Sequence, residues 1–222
     1  MDSRITTVPV LAVAIIVDAY LLVDGGGLFG AMWGAYSNVL VFYMVLDAMF
    51  LILAWSSSIP FYDVDVWTAI IVFVPTFLVG AVAFSSLFRL VPFTIALPNV
   101  ELDFVFQIFT VAFSEEFIFR GVLLRFTGPV IQGIAFGLFH LVAYTGITGL
   151  DIPAVLIAMV LGIAFGYIVK YFESLGMQGV GLTITWALHS AWNISILTGI
   201  FAPSVVPGVM FMHPSTTTWM IT

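Results

Sequence analysis

Apolar stretches of roughly bilayer length, parted by short polar breaks, run through this chain from end to end. The first covers residues 5–23, with Arg4 ahead of it and no small-residue cleavage pattern behind it, so it reads as a retained helix. Asp18 near its end reads as interfacial, and Gly25, Gly26 and Gly27 form a flexible loop. A second span falls at residues 37–55, with Asn38 at one end and Asp47 inside it. Asp47 is expected to bond a neighbouring helix or to lie near the interface. A polar loop over residues 56–65 precedes a third span at 66–91, which ends near Arg89. Residues 92–103, with two prolines and two acids, read as a connector along the membrane surface.

The fourth span, residues 104–126, is stopped by Arg125 and the Gly128-Pro129 pair. The fifth covers residues 129–146, with Gln132, Phe136, His140 and Tyr144 recurring every four residues on one helical face. The sixth is residues 152–171. Its Gly162-Ile-Ala-Phe-Gly166 repeats the Gly133-Ile-Ala-Phe-Gly137 of the fifth, and small residues four apart predict close packing surfaces. A loop is expected at residues 170–179, then a seventh span at 179–201 with Thr185, His189 and Asn193 on one face. The tail, residues 202–222, holds three prolines, a threonine run and a surface histidine, His213.

Composition sharpens this into a polytopic membrane protein: 62% of the 222 residues are hydrophobic and 8% charged, where a soluble domain carries about a quarter charged. The fold class expected is all-α, about seven transmembrane helices around an intramembrane polar cavity. It reads as one membrane domain with variable N-terminal helices over residues 1–100, a motif-bearing core over 101–201 and a tail. Zero cysteines exclude disulfides, thiolate metal sites and a cysteine nucleophile. Five basic residues against twelve acids leave no basic patch, so nucleic acid is not an expected partner. An N-terminus inside puts Arg4, Arg125 and Lys170 in the cytoplasm and only Arg89 outside, the orientation that the positive-inside rule favours.

One stretch breaks the apolar pattern at its centre. Ser114-Glu115-Glu116-Phe117-Ile118-Phe119-Arg120 sets two adjacent carboxylates and an arginine in the fourth span. Each such charge costs about 2.5–3.5 kcal/mol on an insertion scale. The span's seven phenylalanines offset much of that cost without explaining the charges. A structural ion pair accounts for Glu116 and Arg120, four apart in the favourable order, but leaves Glu115 over. Glu115, His140 and His189 all lie near the middle of their spans. Helices crossing one bilayer bring such residues to a common depth, so the two carboxylates, Arg120, the two histidines and Asn193 converge on one polar site. A carboxylate in apolar surroundings is a stronger base than in water. A histidine helps it hold and deprotonate a water, and a second histidine with an asparagine amide donates to the oxyanion formed at a carbonyl. Hydrolysis by direct water attack is the economical chemistry. Glu plus two His could instead hold zinc, although no H-E-x-x-H is present; the expectation is no cofactor, with zinc left open.

Glu115-Glu116-x-x-x-Arg120, then Phe136-x-x-x-His140, then His189-x-x-x-Asn193, in that order on apolar segments, resembles the three-motif signature of the CAAX prenyl protease and bacteriocin-processing family, the type II CAAX endopeptidase-like intramembrane proteases. The resemblance covers about residues 101–200. Tyr171-Phe-Glu-Ser-Leu-Gly resembles the family's connector, whereas the first hundred residues match nothing specific. What it implies is a cavity between the motif helices, Glu115 as general base, His140 orienting the water, and His189 with Asn193 as the oxyanion hole. Glu116 would support the site and Arg120 would fix the acidic pair. Phe136 and Tyr144 are read as substrate-binding residues. The implied activity is a membrane endopeptidase acting near the C-terminus of a lipidated or membrane-associated peptide, in the cell membrane. The departures are the few basic residues around the site and the short architecture. Two other readings stand beside it: a noncatalytic scaffold or immunity-type protein that keeps the fold, and a proton or ion carrier. The carrier is disfavoured because the polar residues gather at one depth.

Overall fold

The computed structural model describes residues 15, 16, 18–20, 22, 23, 33–56, 64–87, 106–145 and 152–197. Most of the first span, the glycine loop, the connector at 92–103, Arg4, Arg89 and the tail with His213 lie outside them. The described residues are almost entirely helical and contain no strand. Helix α1 is Trp33–Ser56 and α2 is Val66–Leu87. A composite helix, α3, joins Phe106–Ala112, Phe113–Glu116 and Phe117–Leu123. Then come α4, Leu124–Thr145, α5, Ile152–Ser174, and α6, Gln178–Leu197. Among the described residues, three stretches are long and apolar enough to cross a bilayer: Val66–Phe84, Phe106–Leu141 and Val155–Ser174; Leu40–Met49 is a shorter apolar helix. Seven spans are expected of this all-α membrane fold; most of the first lies outside the described residues, the fourth and fifth share the stretch Phe106–Leu141, and α6 carries polar residues of the site.

The ends of the helices follow from local chemistry. Asp65 starts α2: its Oδ1 accepts from the amides of Trp67 and Thr68, each at 3.0 Å, and its Oδ2 from the Thr68 hydroxyl at 2.6 Å. These donors, the Thr68 hydroxyl foremost, hold the carboxyl below the usual carboxylate range. The cap is therefore complete at neutral pH and is lost as pH falls through that lowered value. The loop expected at residues 170–179 is shorter than the sequence suggests. Helix α5 runs on to Ser174 because Gly176, at φ 73°, closes it with a Schellman pair, Met177 N to Phe172 O at 2.8 Å and Gly176 N to Glu173 O at 2.9 Å.

The 36-residue stretch Phe106–Leu141 is far longer than a single crossing needs. It breaks at Gly128, whose φ of 74° and ψ of 172° leave the helical region, and Pro129 restarts the helix with its φ already set. The two legs fold back on each other, so that Phe119 meets Phe136 with ring centroids 5.1 Å apart. These legs are the fourth and fifth spans, and the Gly128-Pro129 stop stands where the sequence put it.

The repeated Gly-Ile-Ala-Phe-Gly stretches pack on each other. A Cβ on Gly133 would strike the backbone of Ile163, and one on Gly162 would lie 3.0 Å from Gly133 Cα. Farther along, Gly166 lies against Pro129 and Gly137 against Met159, so α4 and α5 run antiparallel with their backbones in contact. A side chain here must push whole helices apart. Gly133→Val is expected to cost at least about 1–3 kcal/mol and to lower the unfolding midpoint in detergent. A wild-type midpoint would show that the helices do not meet at this glycine. Elsewhere, Gly80 seats α2 on Leu188 and Ala191 of α6. Phe73 meets Trp186 at 4.4 Å.

Candidate active site

Helix α3 builds the site, and its geometry is unusual. An α-helical turn, Phe113–Glu116, sits between two π-helical stretches, Phe106–Ala112 and Phe117–Leu123. Such wide turns recur at functional sites, where they re-aim side chains and loosen the main-chain bonding. The Ile108 carbonyl accepts the Trp186 indole N–H at 2.7 Å. On the apolar side, Phe113, Phe117 and Val122 form a core with Leu182, while Ile118 and Phe119 form another with Phe136 and Ala158. The same helix thus buries aromatics around its charged turn, which anchors the charges at a fixed place.

Glu116 and Arg120 are fully buried and pair at 3.1 Å, as their spacing predicts. The Arg120 guanidinium lies over the ring of Phe136 at 4.0 Å and near that of Phe165 at 5.4 Å. Glu116 has a second partner: its Oε1 lies 2.8 Å from His189 Nδ1. Glu115, adjacent in sequence, points to a different set. Its Oε2 lies 3.6 Å from His189 Nε2 and 3.7 Å from His140 Nε2. Its Oε1 accepts a hydrogen bond from the Tyr43 hydroxyl of α1.

The hydrogen bonds fix both imidazoles. His140 Nδ1 lies 2.8 Å from the Phe136 carbonyl, which can only accept, so Nδ1 carries a proton. His189 Nδ1 faces a carboxylate held by Arg120, so it too is the donor. Both rings therefore turn Nε2 toward one carboxylate oxygen of Glu115. Each histidine is oriented by an acceptor behind it, the arrangement by which a ring is made to present a chosen nitrogen. Among the described residues, no group of three or more His, Cys, Asp or Glu side chains is arranged to hold a metal ion.

Helix α4 supplies Phe136, buried, with edge contacts to His140 at 4.5 Å and His189 at 5.7 Å. Tyr144 is one turn beyond His140 on α4, and its side chain lies outside the described residues. Asn193 stands one turn after His189 on α6, and its Nδ2 donates to Gln107 Oε1 at 3.2 Å. The structure thus brings Glu115, Glu116, Arg120, Phe136, His140 and His189 into one cluster. Asn193 lies one turn farther along α6 than His189, bonded to Gln107.

The structure gives partners to two acids whose partners the sequence did not name. Asp18, read as interfacial, is buried against α3, accepting from Thr110 Oγ1 at 2.6 Å. Asp47 bonds a neighbouring helix, accepting from Ser114 Oγ at 2.7 Å. Thr110 and Ser114 are one turn apart on α3, and Tyr43 and Asp47 one turn apart on α1. Two polar residues at helical spacing inside an apolar span were the available signal. At one end of the bundle, Arg125 hydrogen-bonds Gln178, and Lys170 pairs with Glu173 at 2.7 Å. The two basic residues assigned to one side of the membrane therefore do lie at the same end.

Residues 97–195 match the family model described as type II CAAX prenyl endopeptidase Rce1-like. The match takes in α3, α4, α5 and α6 to Ser195, with every motif residue, and leaves α1 and α2 outside. No curated protein and no solved structure matches the chain.

Proposed function

We propose that this chain, whose residues 97–195 belong to the Rce1-like family of type II CAAX prenyl endopeptidases, is an intramembrane endopeptidase that attacks its substrate with water activated by Glu115. The observation that carries the reading is the convergence of two Nε2 atoms, from His140 and His189, on Glu115 Oε2 at 3.7 and 3.6 Å. Ionised Glu115 takes one proton from a water through Oε2 while His140 Nε2 accepts a hydrogen bond from the other. The water oxygen bonds to the scissile carbonyl carbon, and the carbonyl electrons move to its oxygen. His189 donates to that oxyanion from Nε2 as an imidazolium whose charge Glu116 balances, and the second Asn193 Nδ2 proton, not used by Gln107, donates as well. Collapse of the intermediate breaks the C–N bond, and the proton held by Glu115 passes to the leaving nitrogen.

The substrate this fits is a peptide already at the membrane, prenylated or otherwise lipidated, since the site lies within an apolar helical bundle. The orientation with the N-terminus in the cytoplasm rests on the positive-inside rule, by which the end that carries Arg125 and Lys170 faces the cytoplasm. The test is cleavage of a C-terminally prenylated reporter peptide by purified protein in detergent, read by mass spectrometry with and without chelator. Cleavage that survives chelation is expected; cleavage lost on chelation would move the chemistry to a bound metal. Asn193→Ala is expected to lower kcat by about 100- to 1,000-fold, the usual loss for one oxyanion donor. An unchanged kcat would remove Asn193 from the site.

A further inference from the structure

Glu115 has two oxygens and the mechanism needs one. What divides them is not in the family-matched segment. The Tyr43 hydroxyl, on α1, donates to Glu115 Oε1, while Oε2 has no hydrogen-bond partner and faces the two imidazoles. Tyr43 is itself buried, and its place is fixed from several directions. One turn on, Asp47 accepts from Ser114, the residue before Glu115. Between them, Leu46 packs on the core of Ile118, Phe119, Phe136 and Ala158. Beside Tyr43, Phe42 stacks on Phe139 at 5.9 Å. Helix α1 therefore meets the charged turn of α3 through two buried hydrogen bonds one turn apart, with apolar contacts around them.

We infer that Tyr43 is a positioning residue for the reaction: its phenol holds Glu115 Oε1 and so leaves Oε2 as the oxygen that receives the proton. The inference rests on the peptidase reading for its kinetic consequence, but the hydrogen bond is testable without any substrate. A carboxylate free at both oxygens rotates about its last torsion, a broad and nearly two-fold rotor. Pinning Oε1 from α1 removes that freedom and points Oε2 at His140 and His189. An N-terminal helix with no counterpart in the matched family segment thus completes the geometry of the base.

The experiment uses full-length protein in detergent, as wild type, Tyr43→Phe and Glu115→Gln. Infrared difference spectra assign the Glu115 carboxyl stretch as the band that disappears in Glu115→Gln. In Tyr43→Phe that band is expected to shift, and kcat for the prenylated reporter to fall about 10- to 100-fold, the effect of losing one hydrogen bond to a charged group, with KM unchanged. A band that stays in place, or a kcat that stays at the wild-type value, overturns the inference. A fall in kcat without a band shift also overturns it, because that is the signature of general loosening. If Tyr43→Phe fails to fold, ring-fluorinated tyrosines at position 43 alter the acidity of the phenol and hardly its shape. The band must then move progressively along the series, and a fixed band overturns the inference. If wild type cleaves no reporter, the peptidase reading fails for that substrate, and the band alone decides whether Tyr43 holds Glu115.

Discussion

Glu115→Gln should end cleavage and leave the folded protein at least as stable as the wild type. The loss expected is about 100- to 10,000-fold in kcat, the range for removing a positioned general base. The stability half of this result comes from the hydrogen bonds of the site. The glutamine amide oxygen can take the Tyr43 hydroxyl as Glu115 Oε1 does. Its NH2 group then faces the Nε2 atom of His140, an acceptor because that ring carries its proton on Nδ1. An N–H donor meets that lone pair, and a carboxylate with an unpartnered buried oxygen is replaced by a neutral group bonded on both sides. A scaffold or immunity protein built on the same fold would lose nothing by this change. The measurement is reporter cleavage beside an unfolding midpoint in one detergent. Near-normal cleavage by Glu115→Gln would sink the glutamate mechanism, and a collapsed midpoint would show that Glu115 is structural.

Much of this site could be read along the chain, and the limits of that reading are physical. The Glu116–Arg120 pair follows from helical spacing alone. The mid-span positions of Glu115, His140 and His189 predicted a common depth because a bilayer fixes the level of each crossing. The paired Gly-Ile-Ala-Phe-Gly stretches predicted the close contact of α4 and α5. What stayed hidden depends on rotation and long-range pairing. Adjacent residues on a helix point about 100° apart, so nothing local says that Glu115 faces the Nε2 atoms of both histidines while Glu116 faces Arg120 and His189 Nδ1. The π-helical stretches on both sides shift that rotation again and have no signature in composition. Asp18 reads as interfacial because it lies near the end of an apolar run, and its sequence context does not reveal that a hydroxyl on another span, Thr110, takes up its carboxylate. Tyr43 passed as one more aromatic residue in an apolar helix, since its hydroxyl acquires a role only against Glu115 Oε1.

The largest effect on stability should come from splitting the Glu116–Arg120 pair. Arg120 is fully buried, its partners being the Glu116 carboxylate at 3.1 Å and the faces of Phe136 and Phe165. Replacing Glu116 with glutamine leaves that guanidinium without its counter-ion in a dry interior. The cost expected is about 3–5 kcal/mol, and Arg120→Met should cost less than that, because His189 Nδ1 still donates to Glu116. Removing both charges together is different. In Glu116→Gln/Arg120→Met the glutamine oxygen still accepts from His189 Nδ1, and methionine fills the slot between the two phenylalanine rings with favourable sulfur–aromatic contact. The double variant should therefore recover most of the stability that either single variant loses. Cleavage should not return with it. His189 would keep its orientation but lose the anionic partner that balances its imidazolium, and with that its N–H for the oxyanion. The check is a double-mutant cycle on the unfolding midpoint, run beside kcat for the reporter. A double variant no more stable than the singles would mean that the pair is not the dominant electrostatic contact of α3. A double variant that is both stable and fully active would mean that Glu116 and Arg120 hold the fold together and take no part in the chemistry of His189.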